Sequence, residues 1–545
     1  MKALLLHADR DFDPQAALPP NRTGLTEDLG LELLFRSMAQ GDEFVLETVR
    51  AVVLASLVEP EEIRYRQQVL TDCAEHPTAV RELYDLVGKI LAAERKIWGG
   101  LLDDYAEGLL HRSVAVLALL SEWLKKVRQI TDRQAGQFRS KGFTGLFATL
   151  SRDLDDDFFK ALDGHLKLLA FSDGVSMTAV LGGANESPSY LLLEPRPGTW
   201  RRFVASRIGD VRTVNTTPNQ APRSRSSTLS PALSPALSLM SLMAQSGRKQ
   251  ESSAEEDRAK ALSDLRGRGI SSVAISLAQA ADDILAFLRN LRFELAFYVG
   301  CLNLGGQLAA LKQPTSIPEP LPAGGTSLNA KGLYDVCLSL SMKAWIVPND
   351  FDADGKTLVM ITGANKGGKS TFLRSVGQAQ LMMQAGMFVA AKGYRASACD
   401  GLFTHFKREE DVSMRSGRLD EELSRMSEIV NVARPGSMVL ANESFASTNE
   451  REGSEIARQI VRALTESGVR VLYVTHLFDL ANGFFVQKLD TALFLRAERQ
   501  DNAGRTFKVL EAEPLPTSYG EDLYRQIFGT SPRPAAADKP ATGAV

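Results

Sequence analysis

Three short stretches of this chain combine residue types and spacings suited to phosphate chemistry. The first, Gly363-Ala364-Asn365-Lys366-Gly367-Gly368-Lys369-Ser370 followed by Thr371, satisfies the pattern G-x-x-x-x-G-K-[ST] without a gap. Glycines let backbone N–H groups turn inward around phosphates, and the N-terminus of a following helix adds the positive end of its dipole. Lys369 is then positioned to bridge the β- and γ-phosphates of ATP, and the Ser370 hydroxyl suits Mg²⁺. The apolar run Thr357-Leu-Val-Met-Ile-Thr precedes the pattern and a helical run from Thr371 to Met383 follows it, giving the strand, loop and helix that this chemistry requires. The plain alternative is a glycine-rich turn with a surface lysine.

The second stretch, Ser437-Met-Val-Leu-Ala-Asn442-Glu443, is an apolar strand ending in a polar pair. At such a strand end an Asp usually serves the metal. Asn442 offers an acceptor oxygen without negative charge, so Ser370, Asn442 and Glu443 are the candidate metal-side groups and Mg²⁺ is expected to be held less firmly. Glu443 is the candidate for orienting or deprotonating an attacking water, against the simpler reading of a strand-end carboxylate facing solvent. The third stretch, Val469 to Thr475, is another apolar strand and ends in His476. Ligand groups of an open α/β sheet gather at the carboxyl ends of its strands. His476 therefore either senses the γ-phosphate or is a satisfied structural histidine. The catalytic candidates are Glu443 and His476.

Elements must hold these groups. A chain of 545 residues exceeds what one core normally supports, which predicts two or more domains. Its 44 % apolar and 24 % charged content is that of an ordinary soluble globular protein. The apolar run Val114–Leu120 is too short to cross a bilayer, and the first apolar residues meet His7, Asp9 and Arg10 too soon for a secretory segment. A cytoplasmic protein without a membrane partner is expected. Cys73, Cys301, Cys337 and Cys399 show no C-x-x-C spacing, which predicts buried thiols and neither a zinc site nor a disulfide scaffold. A net charge of −3 does not advertise a nucleic-acid binder, so any such contact must come from a local patch.

Between Leu25 and Phe171 apolar residues recur at three-and-four spacing, predicting successive helices that include Phe44 to Leu57 and Leu109 to Val127, with Pro60 at the start of another. Short β-prone pieces around Ser176 and Tyr190 predict a hairpin. Residues from Asn215 to Ser253, rich in Ser, Pro, Ala, Gln and Arg, read as a flexible loop. From Ser271 to Leu302 one apolar stripe predicts a single helix on the order of 50 Å long, either a lever or the spine of a bundle. Prolines 314, 318, 320 and 322 mark a linker, and strand-and-helix alternation then begins near Leu333. The expected fold is α + α/β: a helical domain over 1–330 with a small β and loop insertion at about 176–255, an α/β P-loop domain over 331–530, and a tail over 531–545.

Taken in order, Ile361-Thr-Gly-Ala-Asn-Lys-Gly-Gly-Lys-Ser-Thr-Phe-Leu-Arg, Asn442-Glu443 with Ser447-Thr448, Val474-Thr-His476-Leu-Phe-Asp-Leu and Thr517-Ser-Tyr519-Gly resemble the ATPase domain of the MutS family from about Leu333 to Gly529. The helical part, with Asp28-Leu-Gly-Leu-Glu and Glu62-Ile-Arg-Tyr-Arg-Gln-Gln-Val-Leu, is similar to that family's core and lever domain. The resemblance implies an ABC-type ATPase using ATP and Mg²⁺, and a homodimer whose two ATP sites are each completed by the partner subunit. Ser416-Gly417-Arg418 resembles the segment that acts on the partner's site, but Leu419-Asp420-Glu421-Glu422 follows where the family has Ser-Thr. The chain starts almost directly with the lever helices, so mismatch reading is not expected. In place of the family's DNA clamp lie Arg196, Arg201, Arg202, Arg207, Arg212, Arg223 and Arg225, opposed by Asp210. Such a basic loop suits sequence-independent phosphate contacts with DNA. The expected function is ATP-driven conformational change on branched or distorted DNA, with slow hydrolysis. The alternatives are a nucleotide-controlled protein scaffold with little DNA binding, and an ATPase that binds nucleotide without hydrolysing it.

Overall fold

The computed structural model describes residues 1–97, 106–169, 177–180, 189–192, 253–408, 417–499 and 505–516. The basic loop with its arginines, Ser416, Tyr519 and the tail therefore lie outside the described residues. Among those described, no helix is long and apolar enough to cross a membrane, and Cys73, Cys301, Cys337 and Cys399 are all free and buried.

Eight helices occupy the first part of the described chain: α1 (Arg22–Leu29), α2 (Leu31–Ala39), α3 (Glu43–Leu54), α4 (Pro60–Glu75), α5 (Pro77–Glu94), α6 (Ala106–Gln134), α7 (Lys141–Asp153) and α8 (Asp156–Leu169). Their starts follow local chemistry. Asp42 caps α3 by accepting from the amides of Phe44 and Val45, and Pro60 opens α4 where its missing N–H costs nothing. The expected hairpin is present, with β1 (Met177–Val180) antiparallel to β2 (Ser189–Leu192). The long helix, α9, runs Ser253–Ala310 and so starts well before Ser271, within the last residues of the stretch read as loop.

Two compact units emerge. One gathers residues 88–129 and 150–288 with Met1; in it Ser121 and Lys125 on α6 both bond Asp163 on α8. The other gathers residues 2–87, 130–149 and 289–545. It contains a four-stranded sheet in the order β3 (Glu319–Leu321), β7 (Gly393–Ser397), β4 (Leu328–Leu333), β5 (Asn349–Asp352). The boundary expected at 330 falls within β4, and β3 lies before it, because both strands pair with β7.

The same unit holds a six-stranded sheet in the order β12 (Arg505–Glu511), β11 (Ala492–Arg499), β6 (Leu358–Gly363), β10 (Arg470–Val474), β9 (Met438–Asn442), β8 (Leu402–Phe406). Every pairing is parallel except β11 with β12. Strands covered on both faces should be apolar throughout, and β10 is buried at all of its positions. Val439, Ala441, Val471 and Tyr473 join one core cluster with Met426 and Ile429 of α12 (Arg418–Val432), Val461 of α13 (Glu450–Glu466) and Leu480 of α14 (Phe478–Phe485). Toward the other face lies α11 (Lys369–Gln384), whose Gly377 permits close approach: a Cβ there would come within 2.6 Å of Leu440. The remaining short helix, α10 (Val336–Met342), is capped by Asp335.

Candidate active site

The sheet order brings the three phosphate-type stretches together. β6 lies beside β10, and β10 beside β9, all parallel, so their carboxyl ends share one edge. Val474 stands level with both Ile361 and Asn442. From that edge the loop 363–368 leaves β6 and enters α11.

Its glycines are required sterically. Gly363 has φ +108°, and a Cβ there would lie 2.8 Å from the Ala497 amide nitrogen; one at Gly367 would lie 2.8 Å from the Ala364 carbonyl. Gly368, with φ +92°, serves as N-cap of α11. Lys366 also adopts positive φ, +57°, while its side chain is exposed. Lys369 is buried at the helix start and its Nζ donates to the carbonyls of Gly363 and Ala364, both at 3.1 Å. Burial lowers its ammonium to about 8, opposed by the nearby Glu443 carboxylate and assisted by Arg505. Ala364 is buried, Asn365 accepts from Arg505 Nε at 3.2 Å through its carbonyl, and Thr371 is partly exposed on the first turn of α11.

Across the edge, Ser370 Oγ donates to Asn442 Oδ1 at 2.8 Å. This contact joins the helix start to the end of β9. Glu443 adopts φ +55° and donates its amide to the Val474 carbonyl, which turns the chain out of the sheet. Its Oε1 lies 2.8 Å from His476 Nε2. The hydrogen bond from His476 holds the Glu443 carboxyl below the usual carboxylate range, and Lys369 and Lys407 add to the effect. An ionised carboxylate, oriented by an imidazole and set beside a cationic lysine, is equipped to accept a hydrogen bond from water and orient it.

Of the predicted residues, the loop 363–371, Asn442, Glu443 and His476 converge. Gly417 and Arg418 are seen only as the cap and first residue of α12. Sequence reasoning missed Arg505 and Phe507 on β12. Phe507 is half exposed, has φ +60°, and its backbone would lie 3.6 Å from a Cβ on Gly368. Neither carried a signal in the sequence, because an edge strand gives no hint of which loop it will border.

Two family models match this chain. A family model described as "MutS2 N-terminal domain" matches residues 58–311, and one described as "MutS domain V" matches residues 359–528. The DNA mismatch repair protein MutS of Haloquadratum walsbyi is 34% identical over 139 residues, which is 25% of this chain and 15% of that protein. The MutS of Thermotoga neapolitana is 34% identical over 179 residues, 32% of this chain and 22% of its own length. Endonuclease MutS2 of Streptococcus thermophilus is 34% identical over 150 residues, covering 27% of this chain and 19% of the relative. The matched segments thus span less than a quarter of these relatives. Both family models fall in sequence order on the helical and sheet-bearing parts, and the second takes in the loop around Lys369 together with Glu443 and His476; the chain belongs to the MutS family.

Proposed function

We propose that this protein is a P-loop ATPase that binds DNA and couples ATP binding and hydrolysis to movement of its helices. The observation that carries the reading is the convergence, on one edge of three adjacent parallel strands, of Lys369, the Ser370–Asn442 pair and the Glu443–His476 pair. The loop fits a triphosphate tail. Gly363 and Gly367 occupy positions where a Cβ would collide and Gly368 one with positive φ, its helix start offers backbone donors, and Lys369 supplies a buried cation.

The donor chemistry also fits Mg²⁺, with Ser370 and Asn442 offering adjacent neutral oxygens and Glu443 a carboxylate next to them. When bound, the ion neutralises charge on the phosphates. Lys369 holds and orients the β- and γ-phosphates, Glu443 orients the attacking water, and His476 fixes the carboxylate and reports on the γ-phosphate side. Asn442 brings no charge, so hydrolysis is slow; turnover of Asn442→Asp at limiting Mg²⁺ should exceed the parent's. Phe507, exposed beside Gly368, offers an apolar face for the nucleotide base.

We assign the mainly helical residues 1–330 a core and lever role and residues 331–530 the ATPase role, in a cytoplasmic homodimer whose sites are completed across subunits. The names of its relatives, mismatch repair protein and endonuclease, both concern DNA. The arginines between Arg196 and Arg225 suit contacts with the phosphates of branched or distorted duplex without base reading. The test is binding of the purified chain to homoduplex, mismatched, single-stranded and branched DNA, with and without ATP, at two salt concentrations. Branched DNA should bind best, with a steep salt slope that flattens when 196–225 is deleted. ATP turnover with no DNA binding under any condition would overturn the DNA reading in favour of a nucleotide-controlled scaffold.

A further inference from the structure

Helix α12 begins with Arg418-Leu-Asp-Glu-Glu, which in sequence looks like a solvated acidic helix start. Glu422 departs from that pattern. It is only 3% exposed, and its Oε2 accepts a short hydrogen bond from the Phe445 amide. Phe445 lies two residues beyond Glu443, and the two have φ of +61° and +55°. Non-glycine residues rarely adopt the left-handed region, and two within one turn persist only where the surroundings dictate them.

Those surroundings are identifiable. His405, fully buried at the end of β8, places Nε2 2.9 Å from the Glu422 carbonyl and Nδ1 2.6 Å from Ser444 Oγ. Ser444 Oγ also lies 2.8 Å from the His405 carbonyl, and the Tyr473 hydroxyl donates to the Ser444 carbonyl at 2.7 Å. The Phe445 ring stacks on His405 with centroids 5.5 Å apart. Its carbonyl presses so close to Gly453 that a Cβ there would come within 2.3 Å. The peptide groups after Glu443 are therefore gripped on each side, and the grip from α12 is the Glu422 carboxylate.

We propose that Glu422 is a positioning residue for Glu443: its carboxylate holds the backbone turn that aims the Glu443 side chain, so that the seating of α12 sets the rate of the chemical step. The inference rests on the reading of Glu443 as the group that handles water. Glu422 itself touches neither nucleotide nor water in this scheme. It acts through the Phe445 amide.

The experiment compares the parent chain with Glu422→Ala, Glu422→Gln and Glu443→Gln, measuring kcat, KM and the Kd for ATP with Mg²⁺, and thermal unfolding. Glu422→Ala should lower kcat at least tenfold while the Kd for ATP stays within twofold. Glu422→Gln retains an acceptor oxygen and should recover most of the lost turnover, and it provides the answer if the alanine variant does not fold. Unchanged kcat in Glu422→Ala, or a loss of ATP affinity in proportion to the loss of turnover, overturns the proposal in favour of a merely structural role. The two readings separate cleanly. If Glu443→Gln abolishes turnover and Glu422→Ala does not reduce it, only the positioning role is lost; if Glu443→Gln turns over like the parent, the assignment of Glu443 is lost first.

Discussion

The two ends of α11 are built on opposite principles. At its N-terminus the contacts are few and polar: Lys369 on its own loop's carbonyls, Ser370 on Asn442, and a loop whose backbone repeatedly enters positive φ. At its C-terminus nearly every polar group is buried and matched. Gln384 donates to the carbonyls of Leu57 and Cys399 and accepts from the Cys399 amide, while its own carbonyl accepts from Leu57. Gln380 bonds Ser397 and Tyr394, and two residues earlier Gln378 bonds Leu29, Asp335 and the Val336 amide. Arg66, wholly buried on α4, donates to the carbonyls of Leu6 and Ala385 and to His7 Nε2. His7 is held neutral, lowered to about 4 by burial first and by the Arg66 charge second. One end of the helix can thus exchange partners with a ligand, whereas the other is fastened to the helices of the first hundred residues. The contacts of Leu29, Leu57 and Arg66 tie that end to α1, to the segment between α3 and α4, and to α4.

That contrast is open to direct attack. The largest effect should come from Lys369→Ala, which removes the buried cation from the exchangeable end: the Kd for ATP with Mg²⁺ should rise about a hundredfold, with thermal stability little changed. Equal affinity in parent and variant would remove the basis for treating this end as a phosphate site.

A milder probe of the same end is pH. Lys369 in the free protein loses its proton near 8, and phosphate contact favours the charged form, so affinity is full below about 8. As pH rises through that value the binding must also take up a proton, and affinity should fall by up to about tenfold per unit. The Lys369→Ala variant should lack this dependence, which a titration of nucleotide affinity between pH 7 and 10 will establish.

The smallest effect on ATP affinity, and the largest on stability, should come from the fastened end. Arg66→Met strands the carbonyls of Leu6 and Ala385 without their donor, and urea unfolding should report a loss of about 2 kcal/mol or more. The Kd for ATP should move less than about threefold, since no contact at the loop is lost. An Arg66 variant that binds ATP as poorly as Lys369→Ala would show that the two ends are not separate.

Much of this was legible in the residues, and the reason is local. A strand, a glycine-rich turn and a helix read in a single pass gave the loop around Lys369, and the helices around Phe44 and Pro60 followed from caps and periodicity. The hairpin near Ser176 and Tyr190 was equally plain from its turn residues. The parts that escaped are long-range. That β3 and β4 belong with β7 is a pairing across some seventy residues that no window of sequence contains. The start of α9 was missed because the residues just after Ser253 are acidic and basic with little apolar stripe. Buried charges misled most of all: Glu422, Arg66 and Glu294 look like surface residues in the sequence, and only their partners explain them. Glu294, for instance, is pushed up to about 7 by burial while accepting from the amides of Leu5, Leu6 and Phe12.

The Arg66 and Gln384 contacts bear on how this chain tolerates being cut. A fragment beginning after residue 330 would retain the loop, the six-stranded sheet and all of α11, yet it would lose β3 and half of β4, would leave the Ala385 carbonyl and the Gln384 amide facing water instead of Arg66 and Leu57, and would uncover Gly377 and its neighbours where Leu29 now packs. Such a fragment should express poorly or aggregate, and adding back residues 1–87 as a separate polypeptide should rescue its solubility.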